Sequence, residues 1–141
     1  MVPSGAQIIV SEETVKTFAQ AVARAEGFYD AHDTVPKRAH NPGDLSDEGD
    51  VSNGVIQTSG PFGAKITVYA TDEDGWAALY KKVRRMLEGR SKTYPQDLTL
   101  MEVALKYAGS PLWAANVARS LGVDTRATLA EIAAQDPIQQ A

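Results

Sequence analysis

Apolar side chains recur along this chain at helical spacing in most segments and at strand spacing in one. Val15, Phe18, Ala19 and Val22 fall three and four residues apart, which gives one helix an apolar face. Ser11 is a good N-cap, and Glu12 and Glu13 after it suit the positive end of a helix dipole. The helix is expected to run from there to about Glu26, where Gly27 can take the left-handed conformation that ends helices. Residues 28–50 contain VPKRAHNPGDLSDEGD, dense in Pro, Gly, Asn and Asp, and read as an irregular loop. VSNGVIQ and AKITVYA follow, separated by TSGPFG. Ile66 and Val68 alternate with Thr67 and Tyr69, the pattern of a half-buried strand, so the pair reads as a β-hairpin.

The second half is helical. Thr71 caps DEDGWAALYKKVRRML, acidic in its first turn and basic in its last, with Trp76, Leu79, Tyr80, Val83 and Leu87 as its apolar face. Thr99 and Glu102 have the spacing of a capping box for LMEVALKYA, which Gly109 closes. Ser110 and Pro111 open LWAANVARSL, closed by Gly122, and a last short helix around residues 125–134 carries Leu129 and Ile132. The expected fold class is α+β, predominantly α: a helical bundle with a small hairpin. There is no internal repeat.

The 141 residues make one domain, residues 1–141, large enough to bury roughly two-thirds of the unfolded surface. Residues 1–10 read as a loosely attached N-terminal segment. A composition of 43% hydrophobic and 23% charged residues is ordinary for a soluble globular protein. The net charge of −4 gives no bulk attraction to nucleic acid or anionic lipid, and nucleic acid is not expected as a partner, although a local basic patch would be compatible with that charge. With no Cys, thiolate and disulfide chemistry are excluded. His32 and His40 alone make a His-based zinc site improbable, so no metal and no cofactor are expected. No apolar run approaches the ~20 residues of a membrane span, and MVPSGAQIIV lacks the pattern of a signal peptide. The sequence leaves the oligomeric state open.

One residue breaks the pattern. Extending the stripe of the first helix four residues beyond Val22 lands on Glu26, within VARAEGFY. Burial and the negative end of the helix dipole would both disfavour the charged carboxylate there, and Phe28 and Tyr29 would add an aromatic wall. These effects raise a pKa, which suits a general acid that must hold a proton near neutral pH and deliver it, as in cleavage of a glycosidic bond. The plain alternative is a solvated Glu at a helix end, and periodicity alone favours it.

ARAEGF, then VPKRAHNPGDL, a hairpin and VYATDEDGWAALYKKV together resemble a bacterial and phage branch of the lysozyme-like superfamily, whose members include lytic transglycosylases and peptidoglycan hydrolases. YPQDLTLMEVALKYA and VARSLGVDTRATLAEI also look like downstream helices of that branch, so the likeness spans most of residues 15–132. It rests on order and spacing rather than on any single motif. The resemblance implies a lysozyme-like fold with a substrate groove between the helices and the hairpin, and peptidoglycan glycan strands as the partner. It also implies a place in the cell envelope or on a phage, and it maps the family's catalytic acid onto Glu26. Asn41 is a candidate to position a sugar through its amide, with a turn residue as the plain alternative. Asp44 is a candidate to orient water or to stabilise an oxocarbenium-like charge, and Tyr69 to face the groove. Thr71 reads as a helix cap, Trp76 as core, and Arg38 as an internal ion-pair partner that holds the loop.

A second carboxylate would decide the mechanism, because retaining glycosidases set their pair roughly 5 Å apart and inverting ones roughly 6.5–9.5 Å. Asp30, Asp33, Asp44, Asp47 and Asp50 follow Glu26, and no motif marks one of them as its partner. Phage-type lysozymes carry an Asp nine residues after the Glu, where this chain has Val35. That departure leans toward a lytic transglycosylase-like reaction with a single acid, with hydrolysis as the alternative. Two further readings compete. The fold could serve as a non-catalytic glycan-binding or phage structural module. VARSLGVDTRATLAEI also has the cadence of a DNA-binding helix-turn-helix, although its second helix offers little besides Arg126 and carries Glu131.

Overall fold

A computed structural model describes residues 9–46, 54–57 and 65–137. The protein is predominantly helical. Its elements are α1 (Glu12–Ala25), α2 (Val35–Arg38), β1 (Gly54–Gln57), β2 (Lys65–Val68), α3 (Asp72–Leu87), α4 (Leu100–Tyr107), α5 (Pro111–Leu121) and α6 (Leu129–Ala134).

Capping chemistry sets most of the helix boundaries. The Ser11 side chain accepts from the Thr14 amide at the start of α1, and that of Thr71 accepts from the Asp74 amide at the start of α3. The expected Thr99–Glu102 capping box forms at α4. A second box, Thr128–Glu131, opens α6 at residue 129, so this helix is shorter than expected. Helix α2, inside the stretch expected to be irregular, is the other difference. Thr34 is extended, and Pro36 in the first turn has a ring already set at a helical φ, which suffices for one turn.

Helix α1 packs on α5 and α3, α4 on α5, and α3 on α6. The stripe Val15, Phe18, Ala19 and Val22 is fully buried and meets Leu79, Val83 and Leu87 of α3 and Trp113, Ala114 and Val117 of α5 in one core. The chain ends are tied in. The buried Asp136 carboxylate accepts from the Ser11 amide at 2.9 Å and from its hydroxyl at 2.8 Å. Residues 1–8 lie outside the described residues. Val10, expected within the loose segment, is instead buried, with its amide donating to Glu88 at 3.1 Å and its carbonyl accepting from Arg84 at 2.9 Å.

The hairpin is antiparallel, with Val55 opposite Thr67 and Ile56 opposite Ile66. The expected alternation along β2 does not hold: Ile66, Thr67 and Tyr69 are all buried, and Val68 is half-buried. The reason is a second neighbour. The Thr67 amide donates to the Leu45 carbonyl at 2.9 Å and Ser46 bridges Ile66, so the loop after α2 covers the other edge of this strand. The connecting residues 58–64 and the side chains of β1 lie outside the described residues.

Candidate active site

Three separate parts of the chain converge on Glu26. It is the C-cap of α1, its amide bonded back to Val22, and Gly27 follows at a φ of 88°. That left-handed turn ends the helix while the Glu26 side chain still follows the inner face. The Trp113 indole N–H, from the first turn of α5, donates to Glu26 Oε2 at 2.5 Å. The Asp44 carboxyl, from the loop after α2, is close enough to the Glu26 carboxyl for the two to influence each other's titration.

Electrostatics follow from that enclosure. Burial pushes the Glu26 carboxyl up, and the neighbouring Asp44 charge pushes it further, to about 8; the Trp113 N–H opposes both, because it favours the anion. Asp44 is also raised by burial, while its interaction with Glu26 works the other way. The two carboxyls therefore titrate as a pair, with Glu26 the more strongly raised and the one that keeps its proton at neutral pH. Asp44 sits at a φ of 52°, a left-handed position that Asp tolerates better than most residues. Its buried Oδ1 has no hydrogen-bond partner among the described residues.

The loop that carries Asp44 is braced from below. Asn41 is fully buried; its amide NH2 donates to the carbonyls of Leu45 (2.8 Å) and Thr67 (2.9 Å), and its side-chain oxygen accepts from the Leu45 amide (2.9 Å). Both amide protons are thus committed to the loop and to β2. Asn41 shapes the turn instead of presenting its amide to a ligand. The Tyr107 hydroxyl donates to the Gly43 carbonyl at 2.6 Å, and its ring stacks on Trp113 with centroids 5.1 Å apart. One aromatic pair therefore fixes both partners of Glu26.

The other candidates have surroundings of their own. Tyr69 is 1% exposed, its amide donating to Ala39, so its ring is core and does not face solvent. Thr71 caps α3, and Arg38 pairs with Asp33 at 3.2 Å within the loop. Trp76 is only partly buried; it meets Phe28 edge-on at 5.6 Å and lies tilted against Tyr80 at 5.7 Å, with the exposed Tyr29 beside it. Asp47 and Asp50 lie outside the described residues. Trp113 and Tyr107 escape a sequence reading because each looks like an ordinary apolar position of its helix. Trp113 is 87 residues from Glu26, and nothing local marks the indole as its donor.

The segment with helix-turn-helix cadence is occupied in packing. Leu129, Ile132 and Ala133 of the six-residue α6 are buried, and Arg126 is engaged by Asp124 at 3.1 Å. No helix among the described residues is long and apolar enough to cross a membrane. No group of His, Cys, Asp and Glu side chains among them could hold a metal ion. Comparison of the chain with protein-family models, curated proteins and solved structures finds no match.

Proposed function

We propose that this protein is a lysozyme-like glycosidase that cleaves the β-1,4 bond of peptidoglycan glycan strands, with Glu26 as general acid and then base. The observation that carries this reading is the half-buried pair of Glu26 and Asp44. A carboxyl held up to about 8 keeps its proton at neutral pH and can deliver it to a leaving oxygen. The order of motifs around it, from ARAEGF through NPGDL to DEDGWAAL, supports the same family.

The mutual influence of the two carboxyls bears on the reaction type. A retaining pair stands roughly 5 Å apart, and an inverting pair leaves room for a water at roughly 6.5–9.5 Å. Two carboxyls that titrate as one pair suit a single acid with a tuning neighbour. In that reaction Glu26 gives its proton to the glycosidic oxygen as the bond from the anomeric carbon to that oxygen breaks. Asp44, the anion beside it, faces the oxocarbenium-like charge that develops. The Glu26 carboxylate then takes the proton of the muramoyl 6-hydroxyl as that oxygen bonds to the anomeric carbon, which closes a 1,6-anhydro ring and restores the acid. Such a reaction would take place in the cell envelope or at a phage–envelope contact.

Digestion of purified sacculi with wild type and Glu26→Gln, followed by mass analysis, tests the proposal. The wild type is expected to release anhydromuropeptides, and the Gln variant to fold normally and release none. Reducing-end products would keep Glu26 as the acid and replace the transglycosylase reaction by hydrolysis. Equal release by the two proteins would remove the assignment.

A further inference from the structure

Charge is divided unevenly along this acidic chain. Residues 81–92, KKVRRMLEGRSK, hold six of the 14 Lys and Arg residues and one of the 18 carboxylates. They form the C-terminal half of α3 and the turn after it. Here a cavity of about 320 Å³ is lined by Lys82, Arg85, Arg90, Ser91, Lys92 and Thr93, with no carboxylate among the described residues of its wall.

Helix capping does not account for these cations. Three of the last carbonyls of α3 already have donors: Arg84 from the Glu88 amide, Arg85 from the Arg90 amide and Leu87 from the Gln96 side chain. The single acid of the segment is also spent. Glu88 is buried and turned to the Val10 amide, Arg84 and Arg90, at 3.1, 3.1 and 2.7 Å. The side chains of Arg85 and Lys92 are left with no carboxylate and no hydrogen-bond partner among the described residues. The Lys82 ammonium lies over the Tyr94 ring at 5.5 Å, near the same wall. Ser91 accepts from the Tyr94 amide at 3.0 Å, which leaves its hydroxyl proton available to a ligand.

We propose that this cavity binds phosphodiester groups of a flexible polyanion, with Arg85 and Lys92 as the principal contacts. A tetrahedral phosphate accepts from several directions at once, which matches guanidinium and ammonium groups placed around a concavity. The space exceeds one phosphate and admits the adjoining polyol, for which the Ser91 and Thr93 hydroxyls are partners. A stiff duplex fits poorly, because the rest of the chain sets 17 carboxylates against eight cations and would repel a long rod. A lipid surface fits poorly as well, because none of the exposed large hydrophobics, Ile9, Tyr29, Leu105 and Leu112, lines the cavity. The site is separate from the Glu26 carboxyl and does not depend on what that residue does.

Titration calorimetry with short poly(glycerol phosphate) chains tests this. The wild type and Glu26→Gln are expected to bind alike, and more weakly as salt rises. Arg85→Glu with Lys92→Glu is expected to weaken binding at least about tenfold, in line with loss of two charge-assisted contacts. The charge-matched Arg119→Glu with Arg126→Glu is expected to leave it within about twofold, because these residues lie outside the cavity. Should the double variant unfold, Lys92→Glu alone, at an exposed residue, gives the answer. Absence of binding, equal loss in the two charge-reversed proteins, or an unaffected Arg85/Lys92 variant would each overturn the proposal. So would tighter binding of duplex DNA, phosphatidylglycerol vesicles or polyglutamate.

Discussion

Gly75, in the first turn of α3, lies so close to the His40 carbonyl that a Cβ on residue 75 would overlap that oxygen and come within 2.8 Å of the Pro42 ring. The glycine of DEDGW and the loop that begins HNPGD are therefore one packing unit. His40 Nδ1 adds a hydrogen bond to Asp72 Oδ1 at 2.8 Å across the same junction. Since Asp44 stands four residues beyond His40 on that loop, the Gly75 contact sets how near the loop comes to Glu26.

Gly75→Ala is accordingly expected to destabilise the fold by about 3 kcal/mol, because the obstacle is backbone and not a side chain that can rotate away. Alanine is otherwise the better helix former by roughly 1 kcal/mol, so the sign alone is informative. Urea unfolding of the two proteins checks it. A variant as stable as the wild type would show that the loop can retreat from α3.

The Glu26 proton couples folding to pH. Glu26 holds its proton more tightly folded, at about 8, than unfolded, where an ordinary Glu titrates near 4.5. As pH rises through that interval the unfolded chain has given up the proton and the folded chain has not, so stability falls. At or below about 4.5 this cost is absent. One pKa unit corresponds to about 1.4 kcal/mol. Glu26→Gln is therefore expected to exceed wild type in stability by up to about 4 kcal/mol at pH 8 and to match it at pH 4. Parallel denaturant curves at the two pH values measure the difference.

Local rules made much of this molecule legible. Ser11, Thr71 and the Thr99–Glu102 pair mark helix starts by side-chain chemistry that needs no tertiary partner, and the stripe of α1 follows from period alone. What could not be read depends on distant neighbours. The burial of Thr67 comes from Leu45 across the strand edge, and the commitment of Asn41 comes from Leu45 and Thr67. Asp44 stands among several acids of similar spacing, and only the Tyr107–Gly43 bond and the α3 junction single it out as the neighbour of Glu26.

Glu88 anchors the entry to α1 at the end of α3. Burial alone would raise its carboxyl, but the Val10 amide, Arg90 and Arg84 together outweigh burial and hold it below the ordinary range. Such a group stabilises the fold above its unfolded pKa, and that contribution is lost as pH falls through the lower folded value. Glu88→Ala leaves the Val10 amide and the Arg84 guanidinium without this acceptor, at an expected cost of about 3 kcal/mol near neutral pH. The deficit should shrink under acid. Thermal unfolding across that range is the measurement, and a deficit independent of pH would point to packing alone.

The two neighbours of Glu26 act on its proton in opposite directions, which gives the sharpest test of the site. Asp44 raises the Glu26 carboxyl and the Trp113 N–H lowers it. Asp44→Asn is expected to move the alkaline limb of kcat/KM on peptidoglycan to lower pH, because the anion that resists a second charge is gone. Trp113→Phe keeps a ring to stack on Tyr107 but loses the donor, so the same limb should move to higher pH. In the proposed reaction, removal of either group is also expected to lower the rate: Asn would no longer face the developing cation as an anion, and Phe would no longer steady the carboxyl. Loss of activity therefore does not separate these roles from structural damage, whereas opposite displacements of one titration do. Carbon-detected NMR titration of the Glu26 carboxyl in the two variants reads the shift without relying on turnover. Displacement in the same direction would mean that burial alone sets this proton, with Asp44 and Trp113 as bystanders.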